Sequence, residues 1–404
     1  MPKASLALSN LRALVIIIVV AFHAALAYIA STPSPNLIFN APPYWWQAFP
    51  IVDSHRWLGL DIFCAWQDVS LMSLMFLLSG LFVANSLNRK GSLKYTIDRL
   101  WRIGVPFVLG IVVLSPLSFY PAYLVRTADP SLAGFWHDWL ALPFMPSGPQ
   151  WFLWQLLAVN LLAAGVCTVY PRLIDRMAAL GAWAGRRPLH FVALLIAAST
   201  LAYVPLALEF SPLKWNVIGP FSLQLSRPAH YIVYFTAGFA VGAHGLDRGL
   251  LSCDGPLARR WSAWLAAAIA SFFVWAGLTS LTFPDWNAAP ALARIGASFA
   301  FPLACATAGL WLIAIFLRFA GTMRRRAADS LSNHAYSIYL LHYIFVVWLQ
   351  YLLLDRDLVA PAKMLLVLGV ALAMSWAASA AFAWLVAAPQ SLALKKRTVL
   401  SVPQ

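Results

Sequence analysis

Apolar residues along this chain gather in unbroken runs instead of alternating with polar ones at the period of an amphipathic helix or a strand. Ten runs can be marked, at roughly 11–30, 68–86, 103–120, 150–170, 190–208, 230–245, 261–282, 293–317, 333–354 and 363–386. Clusters of Pro, Gly or charge separate them. A helix needs about 20 residues to cross the hydrocarbon core, and within lipid it satisfies its backbone polar groups internally. The pattern therefore predicts an all-α polytopic bundle of about ten transmembrane helices, a single integral membrane domain over 1–404. The sixth run is short and contains Gly238 and Gly242, which suits a tilted span or a closely packed helix. Between the first two runs, residues 31–67 read as a long external loop with Tyr44, Trp45, Trp46, Trp57 and Trp66. These aromatics fit either an interfacial belt or a lid and platform for an external sugar.

Composition removes the soluble alternative. Of the 404 residues 62% are hydrophobic and 10% charged, against about 45–50% and 25% in soluble domains. The net charge of +14 is not the footprint of nucleic-acid binding, because the basic residues form short clusters between apolar runs without interleaved stacking aromatics. With the N-terminus cytoplasmic, 20 of the 28 Lys and Arg residues fall in inside segments, notably at 89–102, 172–187, 248–260, 318–326 and 395–397. The positive-inside rule thus places both termini in the cytoplasm. The first run could end in a cleavage site at Ala25-Leu26-Ala27, but Arg12 and the continuation to Ala30 fit an uncleaved anchor better. The four cysteines have no metal spacing, and only Cys64 is external, so neither a metal site nor an internal disulfide is expected.

Charge inside a span is costly and marks candidate function. Arg12 and His23 are eleven residues apart, which leaves them about 20° from alignment on one helix face and about 16 Å apart along it. Arg12 then lies near the cytoplasmic boundary and His23 near mid-membrane. Arg99 and Arg102, at i and i+3 beside an inside boundary, offer two guanidinium forks suited to phosphate, although topology or lipid contact would also explain them. In the run from Leu331 to His342, His342 lies about 13 Å into the ninth span, close to the depth of His23, and shares a face with Tyr339. Two titratable groups at one depth indicate a polar cavity. Ser79-Gly80 suggests close helix packing, and Ser79 as a nucleophile lacks a visible base. Without covalent chemistry, the same cavity would suit a transporter or flippase, although the internal repeat often seen in transporters is missing.

Taken together and in order, these residues resemble the membrane acyltransferase-3 family. Arg12 and His23 resemble its Arg-x10-His, Arg99 to Arg102 its Arg-x-x-Arg, and Phe76 to Phe82 its FFLSG segment. Trp151-Phe152-Leu153 resembles its Trp-Phe-Leu, and Tyr336 to His342 its late SYxxYLxH. One departure is Ser9, where the family often has Asp three residues before the Arg. The resemblance implies a multi-pass enzyme of a bacterial inner membrane that moves an acyl group from cytoplasmic acyl-CoA to a hydroxyl of an extracytoplasmic carbohydrate or glycolipid. It implies no permanently bound cofactor. His23 would be general base or acyl carrier, and Arg12 would bind donor or stabilise charge. Arg99 and Arg102 would hold the phosphates of the donor, with Tyr339, His342, Trp151 and Ser79 lining the cavity.

Overall fold

The computed structural model describes residues 3–32, 38–283 and 285–399, with side chains described to residue 385. About 76% is helical, as a chain without water around its backbone requires. In order, α1 is Lys3–Ala25, α2 Leu58–Gly80 and α3 Val83–Arg99. A wide π turn, Leu100–Gly104, leads to α4 (Val105–Leu109), and a second, Gly110–Leu114, leads to α5 (Ser115–Leu124). Then come α6 (Leu132–Leu140), α7 (Trp151–Val169), α8 (Leu173–Arg186) and α9 (Pro188–Phe210). A small antiparallel hairpin, β1 (Trp215–Ile218) and β2 (Phe221–Gln224), precedes α10 (Pro228–His244). The rest is α11 (Pro256–Arg259), α12 (Trp261–Ser280), α13 (Ala291–Phe319), α14 (Arg326–Leu352) and α15 (Ala360–Val399).

Among the described residues, nine helical stretches are long and apolar enough to cross a membrane, and α10, with 17 residues, makes a shorter tenth. Its shortness goes with backbone-to-backbone packing on α2. A Cβ on Gly80 would stand 2.1 Å from the Phe235 carbonyl, and Cβ atoms on Gly238 and Gly242 would stand 2.0 Å from those of Leu77 and Leu81. Glycine is what lets the two helices meet at this distance.

Segments distant in sequence meet at each end of the bundle. At one end the Ala4 amide donates to Asp247 (3.1 Å), and Asn10 donates to the carbonyls of Ala320 and Met323 (both 3.0 Å). At the other end the Lys363 ammonium donates to Asp53 (2.7 Å), both buried, and Arg126 donates to the carbonyls of Phe49 and Pro50. Burial lowers the Arg126 guanidinium to about 10, which leaves it charged at neutral pH.

The expected loop 31–67 is shorter than its composition suggests, because α2 begins at Leu58. Asp61, Gln67 and Asp68 break the apolar run, yet the helix tolerates them. Asp61 accepts from the amides of Ala30 and Ser31 (2.6 and 3.0 Å), and Asp68 forms a two-pronged pair with Arg227 (2.6 and 2.7 Å). The segment that precedes α2 lies over the end of α1: the Asp53 amide donates to Ala27 and the Trp57 amide to Tyr28. Trp46 is fully buried there, stacked on Phe39 and edge-on to Phe119.

The stretch from Val83 to Leu124 is also more complex than one span. Gly91 adopts φ +73° and turns the chain, with Lys90 and Asp98 paired across it (3.0 Å). Further along, Pro106 and Pro121 lack the N–H that would bond the carbonyls four residues back. Those two carbonyls are taken by α14: the Tyr336 hydroxyl donates to Arg102 (2.7 Å) and the Trp348 indole to Leu117 (2.9 Å). Proline thus stitches these helices together.

Candidate active site

α1 is buried along most of its length, and apart from Lys3 at its start Arg12 is its exposed residue. Among the described residues Arg12 makes no ion pair, and its guanidinium lies over the Phe82 ring, 5.7 Å from the centroid. Ser9, one turn earlier, shares a hydrogen bond with Ser332 (2.9 Å) instead of bringing a carboxylate to Arg12. An uncompensated cation on an accessible stretch of a buried helix is suited to an anionic ligand.

His23 sits near the end of α1 and meets α14. His342 Nε2 is 3.2 Å from His23 Nδ1, with ring centroids 4.9 Å apart. The partners dictate the tautomers. His342 Nδ1 faces the carbonyls of Tyr339 (2.7 Å) and Ile338 (3.2 Å), which only accept, so this nitrogen carries a proton. In the neutral ring its Nε2 is then an acceptor. His23 Nδ1, also 2.9 Å from the Val19 carbonyl, must be the donor to it. The lone pair of His23 is left on Nε2. His342 is fully buried, whereas His23 is half-buried, so the inner ring backs the one that a ligand can reach.

Other groups hold this pair in place. The carbonyls in the last turn of α1 lack intrahelical donors, and Gln350 of α14 donates to two of them, His23 (2.9 Å) and Ala24 (3.3 Å). The Tyr339 hydroxyl donates to the Pro149 carbonyl, and Tyr343 lies edge-on to His23 at 5.2 Å. Phe119 packs on Tyr343 and Trp46 on Phe119, which carries the external segment to the roof of the site.

The remaining expected residues are distributed around this centre. Phe152 lies against Tyr339 (6.0 Å), while its neighbour Trp151 turns toward Trp215 of the hairpin (5.3 Å). Ser79 is half-buried on α2, one turn before Phe82, and donates to no side chain or carbonyl among the described residues. Away from this centre, Arg102 pairs with Asp98 (2.8 Å) and is largely exposed, while Arg99 lies over the Tyr95 ring (4.8 Å) with its Nε buried and without a partner among the described residues. Each fork has its own neighbour. Gln350 and Tyr343 were not anticipated. Gln350 stands in an apolar stretch of α14, and intramembrane polarity is the signal that would have found it.

The acyltransferase-3 family, described as an acyltransferase domain, matches residues 5–380. No curated protein and no solved structure matches the chain. The family match covers nearly every helix described above, and with the histidine pair seated between the first span and the ninth, the chain belongs to the acyltransferase-3 family and is a multi-pass membrane acyltransferase.

Proposed function

We propose that this protein transfers an acyl group from cytoplasmic acyl-CoA to a hydroxyl of an extracytoplasmic carbohydrate or glycolipid, in a bacterial inner membrane. The observation that carries this reading is the 3.2 Å contact between His23 Nδ1 and His342 Nε2, which leaves His23 Nε2 unprotonated and accessible. His23 acts as general base. As the acceptor oxygen attacks the thioester carbonyl, Nε2 takes the hydroxyl proton, and the Nδ1–H bond to His342 disperses the charge. Collapse of the tetrahedral intermediate breaks the C–S bond, and the same proton passes from Nε2 to the departing sulfur. Acyl ester and CoA thiol leave with every atom accounted for.

Arg99 and Arg102 hold the donor's phosphates at the inner end, with bonds of the charge-assisted kind. Arg12 grips the donor further in. About 16 Å of helix separates it from His23, more than a side chain spans, so Arg12 binds donor and does not reach the reacting carbonyl. Tyr339 and Tyr343 wall the histidine pair. The external segment under Trp46 covers the side from which the acceptor arrives.

The test supplies acetyl-CoA labelled in the acyl carbon to inverted membrane vesicles and examines envelope glycans by mass spectrometry. Ester-linked label on glycan is expected with the wild type and not with His23→Ala. Intersecting double-reciprocal plots identify direct transfer, and parallel ones would assign His23 as an acyl carrier instead. Glycan that crosses the membrane without acquiring label would overturn the reading in favour of transport.

A further inference from the structure

The histidine pair supplies a base, but nothing yet described supplies a donor to the oxygen of the reacting carbonyl. That oxygen gains charge in the transition state, and a positioned donor there is often the largest single contribution to rate. Arg12 is too far along α1 to serve.

The short turn before α7 brings three consecutive residues to this place. Gly148, at φ +47°, lies under Tyr343, whose ring is 3.3 Å from where a Cβ would stand. The Pro149 carbonyl accepts from Tyr339. Gln150 follows, 3% exposed, and its Oε1 is buried with no hydrogen-bond partner among the described residues. Buried polar atoms of this kind are uncommon and call for a cause.

Depth can be read from the stitches between helices. Arg102 is joined to Tyr336 and Leu117 to Trp348. Gly110, about midway between Arg102 and Leu117, is therefore about level with His342, midway between Tyr336 and Trp348. The Gln150 side chain fills the space that a side chain at Gly110 would need: a Cβ there would stand 2.8 Å from its Cγ and 3.4 Å from its Nε2. Gly110 also opens the second π turn, and such turns recur at functional sites. The carboxamide oxygen is thus unsatisfied, at about the level of the histidine pair, in a gap that glycine keeps for the side chain.

We infer that Gln150 is a catalytic residue whose carboxamide N–H donates to the thioester carbonyl oxygen and holds the oxyanion while the acceptor attacks. A carboxamide turns about its last torsion, so either end can face the substrate. This role rests on the acyl-CoA reading above.

The experiment uses the full-length protein in vesicles, with Gln150→Leu, Gln150→Glu and wild type compared on acetyl-CoA labelled with ¹³C at the carbonyl. Gln150→Leu should lower kcat about 10²–10³-fold with KM for acetyl-CoA changed less than threefold. Gln150→Glu, which sets a carboxylate against the oxyanion, should be no better. The infrared band of the bound ¹³C carbonyl should lie at lower frequency in wild type than in Gln150→Leu, a readout that a packing role would not move. If the band is the same in both proteins, or if Gln150→Leu keeps a third or more of wild-type kcat, Gln150 has no such role, while the acyl-CoA reading stands. If wild type binds acetyl-CoA but transfers no acyl group to glycan, that reading fails, and this one with it.

Discussion

His23, in α1, and His230, near the start of α10, are both enclosed in the helical bundle, and the polar groups near them are arranged in opposite ways. Around His230 the charges are closed on themselves. Arg227 is held by both oxygens of Asp68 and lies over Phe301 (4.9 Å), and the His230 ring meets the Ser73 hydroxyl (3.0 Å), fully buried. Around His23 they are left open. Its partner is another imidazole, no carboxylate is paired with it among the described residues, and the ring is half-buried. A closed cluster leaves no charge for a ligand to meet, so its effect is on how α2, α10 and α13 pack. An open one is poised to bind and to exchange protons. The lesson is that intramembrane polarity marks function where its charges are unspent, and architecture where they are matched.

The largest expected effect tests that contrast directly. His23→Ala should lower transfer about 10²–10⁴-fold, the usual range for loss of a general base. His230→Ala should keep activity per folded molecule within a few-fold and lower the unfolding temperature. Both are measured as labelled ester formed by monodisperse protein, and equal losses from the two substitutions would erase the distinction.

Asp68→Ala comes next. It leaves Arg227 buried without its partner, which costs about 3 kcal/mol, the lower end of the range because Asp68 is partly exposed. Thermal unfolding in detergent reads this as a large drop in Tm. The donor KM should not move, since the pair touches no residue of the histidine site. A donor KM that rises with Asp68→Ala would mean the closed cluster belongs to the active site after all.

The smallest effect separates the two histidines of the open site. His342→Ala should reduce kcat by about tenfold to a hundredfold, less than the loss of the base itself. His342→Gln should recover part of this, because a carboxamide oxygen can accept from His23 Nδ1–H. A Gln variant no better than Ala would argue that His342 acts by filling space.

Membrane class and the approximate number of spans were legible in the chain because lipid leaves the backbone few solutions. His23 and His342 were legible by depth, since helical rise converts sequence position into height in a bilayer. Three features were not. The start of α2 was hidden because Asp61 and Asp68 look like loop residues until their partners, the amides of Ala30 and Ser31 and the Arg227 fork, are known. Nothing local marks Arg227 as a buried cation, yet it is 3% exposed. The prolines at 106 and 121 are plain in the chain, but only their neighbours reveal that the carbonyls they free are bonded by Tyr336 and Trp348.

Sequence by itself thus determined the bilayer as solvent, the order of the spans, and the heights of polar groups along their own helices, because these depend on local composition and on the fixed rise of a helix. Tertiary structure alone decided which polar groups meet. Rotation and pairing of helices are set by contacts hundreds of residues apart, such as Gly238 against Leu77 and Gln350 against His23. No local pattern encodes whether Arg12 finds a carboxylate or is left open to a ligand.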